Sequence, residues 1–175
     1  MATSRKKVLL RHLSGKVQPG HLPLHSFVRQ EAKPSTHVLD LLDLEARVVV
    51  VPVSPLKWIV WVRDWNLNDQ INPERLTRKQ FLARPRSEGL WVRIGFTDGD
   101  TLEGLAPLDL SLLDGMDRDR GIFLLPPDIR SNTQRVYVPR SAMSSLGVLA
   151  VITTPSKKAA GVRVQSRSGN LFPEG

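Results

Sequence analysis

Val92, Ile94 and Phe96 alternate with Arg93, Gly95 and Thr97, the two-residue period of a strand with one buried face. Asp98-Gly99 follows, a dipeptide suited to a tight hairpin turn with positive φ, and a return strand is expected from Asp100 to Leu105. The same pattern stands 84 positions earlier, where Val8 and Leu10 alternate with polar neighbours, Ser14-Gly15 supplies the turn and Lys16 to Leu22 the return. Val8, Gly15, Gly20, Pro23 and Leu24 recur as Val92, Gly99, Gly104, Pro107 and Leu108. Val51-Pro52-Val53-Ser54 returns 87 positions later as Val138-Pro139-Arg140-Ser141. A fixed period of this kind means one supersecondary unit built twice.

After each hairpin comes a polar stretch read as an irregular loop, His25 to His37 and Asp109 to Gly121. Short apolar runs bounded by turn residues then predict third strands at Val38 to Leu42 and Ile122 to Leu125. Fourth strands are expected at Arg47 to Val51 and Arg135 to Val138, each ended by a proline that cannot continue a central ladder. A single helical turn, Ser54 to Lys57 or Ser141 to Ser144, leads into fifth strands at Trp58 to Val62 and Leu146 to Ile152. Five strands with a one-turn helix before the last is the connectivity of the small SH3-like and Sm-like barrels, whose closure removes exposed edges. The expected fold is therefore mainly β, two tandem five-stranded barrels at 1–65 and 91–152. Residues 66–90 form a linker in which Asn72 and Pro73 cap a short helix to about Leu82. Residues 153–175, dominated by Pro, Ser, Lys and Gly, read as a disordered basic tail.

Charge shifts this picture only in part. The chain has 175 residues, no cysteine and a net charge of +8. Without cysteine there are no disulfides and no thiolate metal sites, and the default address is cytoplasmic. No apolar segment follows the basic N-terminus as a signal peptide would require, and no apolar run spans a bilayer. Ten basic against five acidic residues give 1–65 a charge of +5, while 66–90 carries +2, 91–152 carries −2 and 153–175 carries +3. If the protein holds a polyanion, the second unit is not the obvious surface for it.

Val92 to Asp109, with its apolar alternation, Asp98-Gly99 and Gly104-Leu105, resembles the first motif of Sm-like RNA-binding barrels. Sm proteins carry an Asn after that hairpin and an Arg-Gly pair after the fourth strand, which together hold a base. Here those stretches read Asp109-Leu110-Ser111 and Pro139-Arg140-Ser141, so the resemblance implies the fold and not the base pocket. Gly121 to Asp128, Ser131-Asn132, Arg135 to Val138, Ala142 and Leu56-Lys57 resemble a bacterial family of unknown function, often attached to signalling domains, that repeats such a barrel. That resemblance implies a non-catalytic bacterial regulatory or adaptor role.

Several residues are candidates for chemistry. His12, His21, His25 and His37 all fall in the first unit, and His21 and His25 have a metal-ligand spacing. Pro19, Gly20 and Pro23 argue against the helix that would make them converge, so no metal and no cofactor is expected. Asp109, Ser111 and the later Gly115, with Arg84 and Arg86 upstream, are similar to the cyclic-dinucleotide motif of PilZ barrels. The resemblance implies arginines on phosphate and Asp109 and Ser111 on the base. Trp58 and Trp61 sit on opposite faces of their strand, so one is expected in the core and the other outside it. Trp61, Arg63 and Trp65 are then candidate partner contacts, either stacking on a base or sealing the space between barrels. No Gly-x-Ser-x-Gly elbow, phosphate loop or Cys nucleophile is present, so catalysis is not expected. The main reading is a regulatory or scaffolding adaptor working through a protein partner. Its alternative is a nucleic-acid binder using Arg5, Lys6, Lys7, Arg75, Arg78, Lys79, Lys157 and Lys158 on phosphates.

Overall fold

The alternation around Ile94 becomes a strand from Gly89 to Phe96, in which Val92, Ile94 and Phe96 are buried and Arg93 is exposed. The structure is a computed structural model describing residues 4–32, 35–109, 111–117, 120–128 and 130–153. The first repeat supplies β1 (Arg5–His12), β2 (Val17–Pro23), β3 (Val28–Ala32), β4 (Ser35–Leu42), β5 (Val48–Pro52) and β6 (Leu56–Val62). The second supplies β7 (Gly89–Phe96), β8 (Thr101–Ala106), the short helix α1 (Ser111–Asp117), β9 (Gly121–Leu124), β10 (Thr133–Pro139), a 3-10 turn at Arg140–Ala142 and β11 (Met143–Ile152). The protein is mainly β, with one curled eight-stranded sheet and a second small sheet. The large sheet runs β3-β4-β2-β1-β6-β10-β9 with β5 on the far side of β4; the small one runs β11-β7-β8. A single bridge, Leu105 to Leu125, ties the small sheet to the chain beyond β9.

The two sequence offsets reappear in the hydrogen bonding. Val8 lies opposite Gly20 in β1–β2, and Val92 lies opposite Gly104 in β7–β8. His12 pairs with Leu56 and Phe96 with Met143; Leu10 pairs with Ile59 and Ile94 with Leu146. Even the irregularity recurs, since register slips after Arg11 in one copy and between Met143 and Ser145 in the other. The turn before the last strand closes with Leu56 N–H to Val53 O in the first copy and Met143 N–H to Arg140 O in the second. Gly20 and Gly104 are required by close approach: a Cβ would stand 2.7 Å from the Leu42 carbonyl oxygen at one and 2.8 Å from Leu124 Cβ at the other.

The copies are not separate beads. β6 is flanked by β1 and by β10, so the last strand of one repeat pairs antiparallel with the fourth strand of the other. Both faces of this shared wall are covered. Leu9, Trp58, Val60, Val62, Val136 and Val138 face a core with Val92, Ile94 and Phe96. Val8, Leu10, Ile59, Trp61 and Tyr137 face a second core with Leu22, Leu39 and Leu41. Every residue of β6 is consequently buried. Trp58 and Trp61 do lie on opposite faces, but each face has its own core, so neither stands outside.

Three sequence expectations change. The linker forms no helix: residues 66–88 hold only turns and bends. Arg75 takes φ 55°, and Glu74 and Leu76 are drawn inward to 1% and 7% exposure, so tertiary contacts defeat the local helical tendency. The stretch His25 to His37 contains β3 instead of an irregular loop, held on β4 by Arg29 side-chain bonds to Asp40 at 3.0 and 3.1 Å. Asp109 to Gly121 contains α1, whose start is tied by Ser111 N–H to Asp109 Oδ1 at 2.9 Å. Of the expected tail, only Thr153 is among the described residues.

Candidate functional site

Charged side chains converge first on the wall between the two cores. Glu74, carried inward by the linker, accepts hydrogen bonds from Arg11 Nε, from Arg11 Nη2 at 2.7 Å and from the Trp58 indole at 3.2 Å. Lys57, at 7% exposure, donates to Asp98 at 2.6 Å and Asp100 at 2.9 Å, and Lys79 donates to Asp100 at 2.5 Å. Arg11, Lys57, Trp58, Glu74, Lys79 and Asp100 line a cavity of about 350 Å3 with Ile71, Asn72 and Leu76. Each charge that faces it has an opposite partner, which marks a fastening between the linker, β1, β6 and the β7–β8 turn.

The fastening has a pH signature. Burial alone would raise the Asp100 pKa, but hydrogen bonds from Lys79 and Lys57 overcome it and bring the group from 3.8 to about 2. A folded value below the unfolded one contributes stability above the unfolded pKa, and this is lost as pH falls through the folded pKa. Asp98 and Glu103 are shifted in the same direction. Acidification from about pH 4 to about pH 2 should therefore lower the thermal midpoint, with Asp100 contributing on the order of 1 kcal/mol after solvent screening. The check is thermal unfolding against pH for the wild type and Asp100→Asn. Parallel curves through that window would exclude the contribution.

A second convergence has a different character. Phe27, Trp61, Phe123 and Tyr137 form an aromatic cluster, with Phe123 centroids 5.1 Å from Tyr137, 5.7 Å from Trp61 and 5.8 Å from Phe27. Burial pushes the Tyr137 hydroxyl pKa upward, and this hydroxyl donates to Arg120 O at 2.7 Å. Phe123 is half-buried, and the Arg135 guanidinium lies over its ring at 3.7 Å. Stacking here is the cation–π arrangement. Beside them opens a cavity of about 430 Å3 walled by Leu105, Ala106, Pro107, Leu124 and Leu125, with Glu88 and Arg135 as the charged groups on its lining. It lies where the Leu105–Leu125 bridge joins the sheets. Burial lowers the Arg135 pKa from its ordinary value, and among the described residues Arg135 makes no ion pair. Half-desolvated and unpaired, this cation would gain from an incoming carboxylate.

The sequence candidates are scattered by comparison. Trp61, at 2% exposure, is a core residue and offers no partner surface. Arg63 is exposed; Trp65 is half-buried, with its indole donating to Val8 O and Gly20 O at 3.1 Å and Lys7 over its ring. Arg5, Lys6 and Arg78 are exposed, Arg75 reaches Asp69 at 3.5 Å, and Lys79 is engaged with Asp100. Lys157 and Lys158 lie outside the described residues. Arg84, Arg86, Asp109 and Ser111 are all exposed. Asp109 is occupied by Ser111, which lowers its pKa, and Arg86 lines a cavity with Phe81, Pro85 and Asp128. His12 and His21 stand apart from His25 in use: burial lowers the His12 pKa, and His21 packs edge-on against Trp65 at 4.8 Å. Among the described residues no three His, Asp or Glu side chains gather as metal ligands. Arg135 and Phe123 were not singled out by sequence reasoning. The signal was there, because the 87-residue offset sets Arg135 where the first copy has Val48, a cation where the matching strand is apolar.

Fold and site together define a mainly β protein with a shared-wall sheet and no helix, among the described residues, long and apolar enough to cross a membrane. The chain belongs to a family of unknown function, DUF6982, whose model matches residues 4–150. No curated protein and no solved structure matches it.

Proposed function

We propose that the protein is a non-catalytic regulatory or scaffolding adaptor built from two tandem five-stranded SH3-like/Sm-like units, and that it works through protein contacts. The first repeat runs last-first-second-third-fourth as β6-β1-β2-β4-β5; the second runs β11-β7-β8 in one sheet, and the Leu105–Leu125 bridge leads from β8 to the end of β9, which pairs with β10 in the other. This supports the tandem reading. The observation that carries the function is the half-buried Arg135, without an ion pair among the described residues, on the lining of a mostly apolar cavity. Such a site suits a protein segment that presents a carboxylate next to an apolar side chain. Apolar walls supply contact area, and the guanidinium sets orientation through a charge-assisted bond.

Selection from a displayed peptide library tests this reading. Enriched sequences should place Asp or Glu beside an apolar residue. Arg135→Gln should weaken the best of them about 10- to 100-fold, the range of a hydrogen bond to a charged group, with the thermal midpoint little changed. Absence of enrichment, or binding indifferent to Arg135, would rule the site out. Titration with single- and double-stranded oligonucleotides at two salt concentrations addresses the nucleic-acid alternative, which requires binding that weakens steeply with salt.

A further inference from the structure

Among the described residues β5 and β11 each pair on one side only, with β4 and β7. Edge strands in natural proteins are commonly blunted by charge, as β3 is by Arg29 and Glu31. β5 reads Val-Val-Val-Val-Pro and β11 Met-Ser-Ser-Leu-Gly-Val-Leu-Ala-Val-Ile, with no charge in either. Exposed apolar side chains gather on them: Val48 at 59% and Val50 at 50%, then Val148 at 57% and Leu149 at 41%.

The internal symmetry explains what these edges lack. At the 87-residue offset β5 corresponds to β10 and β11 to β6, and β10 and β6 pair with each other inside the chain. Val50 is the counterpart of Tyr137, Val148 of Trp61 and Leu149 of Val62, and those three are 4%, 2% and 4% exposed. The residues buried at the internal seam thus have exposed counterparts on β5 and β11. Each outer edge is one half of a joint that the molecule already makes once.

We infer that a second copy of the chain completes it: β5 of one copy pairs antiparallel with β11 of the next, in the register of β10 on β6. Tyr137 opposite Ile59, Val136 opposite Val60 and Arg135 opposite Trp61 translate into Val50 opposite Leu146, Val49 opposite Gly147 and Val48 opposite Val148. The contact joins unlike surfaces, so every added copy carries a fresh edge. Growth then continues until a ring closes or a filament forms. This joint is carried by the strand edges and does not depend on the Arg135 cavity.

The test uses the full chain and variants that each block one edge. In sedimentation velocity the wild type should gain mass with concentration. Val50→Lys alone and Val148→Lys alone should remain monomers. Their equimolar mixture should form a dimer and stop, because only β11 of the first and β5 of the second are intact. The chain has no cysteine, so Val48→Cys and Val148→Cys provide a second measurement that needs no lysine variant to fold. Under oxidation a crosslinked dimer should accumulate in their mixture well above either variant alone. A wild type that stays monomeric at all concentrations overturns the proposal. So does assembly that survives Val50→Lys alone, a lysine mixture that stays monomeric, or crosslinking no greater in the cysteine mixture than in the single variants.

Discussion

Glu74→Ala is expected to destabilise the protein by about 3–5 kcal/mol, the cost of breaking one member out of a buried ion pair. Glu74 is 1% exposed and takes hydrogen bonds from Arg11 and from the Trp58 indole. Truncation leaves a largely buried guanidinium with no counter-charge, held only by the Gly15 and Ile71 carbonyls, and takes the acceptor from the Trp58 indole N–H. The Glu74 backbone carbonyl also accepts from Thr133 Oγ1 at 2.7 Å, so the linker is pinned to β10 as well as to β1 and β6. Urea unfolding should show the midpoint falling with the slope unchanged. Arg75→Ala, which removes only the exposed contact with Asp69, should cost about 1 kcal/mol or less. If the two variants unfold together, Glu74 does not hold the linker.

Trp61→Ala is the second large effect, again about 3–5 kcal/mol, the range for emptying a buried aromatic site. Trp61 touches Phe27 and Phe123, and its indole N–H is buried without a partner. Trp61→Phe removes that unsatisfied donor while keeping a ring, so its cost should stay below about 1.5 kcal/mol. Thermal unfolding of the pair checks the contrast. A surface tryptophan would behave otherwise, losing a partner while leaving the midpoint where it was.

Local pattern made the two hairpins readable. Val92, Ile94 and Phe96 announce a half-buried strand, and Gly15 and Gly99 take φ values of 90° and 87° in the turns expected of them. The offsets of 84 and 87 residues reappear as identical pairings. What failed was decided at a distance. β3 is poor in apolar residues and is fixed by cross-strand bonds from Arg29, which no hydrophobic period reveals. The linker has the composition of a short helix, yet burying Glu74 and Leu76 gains more than one helical turn would supply. Trp61 was placed outside the core by an argument valid for a strand with one wet face; β6 has none. The Arg135 site was half legible, as a cation at a position that is valine in the other copy, but the apolar cavity beside it exists only where two sheets meet.

By itself the sequence determined the two hairpins, where they turn, and the offsets of 84 and 87 residues at which the chain's pattern recurs, because alternation, glycine and proline act within a few residues of themselves. Only the tertiary structure decided which strand lies beside which across the repeats. Backbone N–H and C=O groups are the same in every strand, so side-chain pattern does not name a partner for an edge. Packing β10 against β6 gave the two cores a common wall, buried Trp61, set Arg135 on the lining of a cavity, and left β5 and β11 each with one open edge among the described residues.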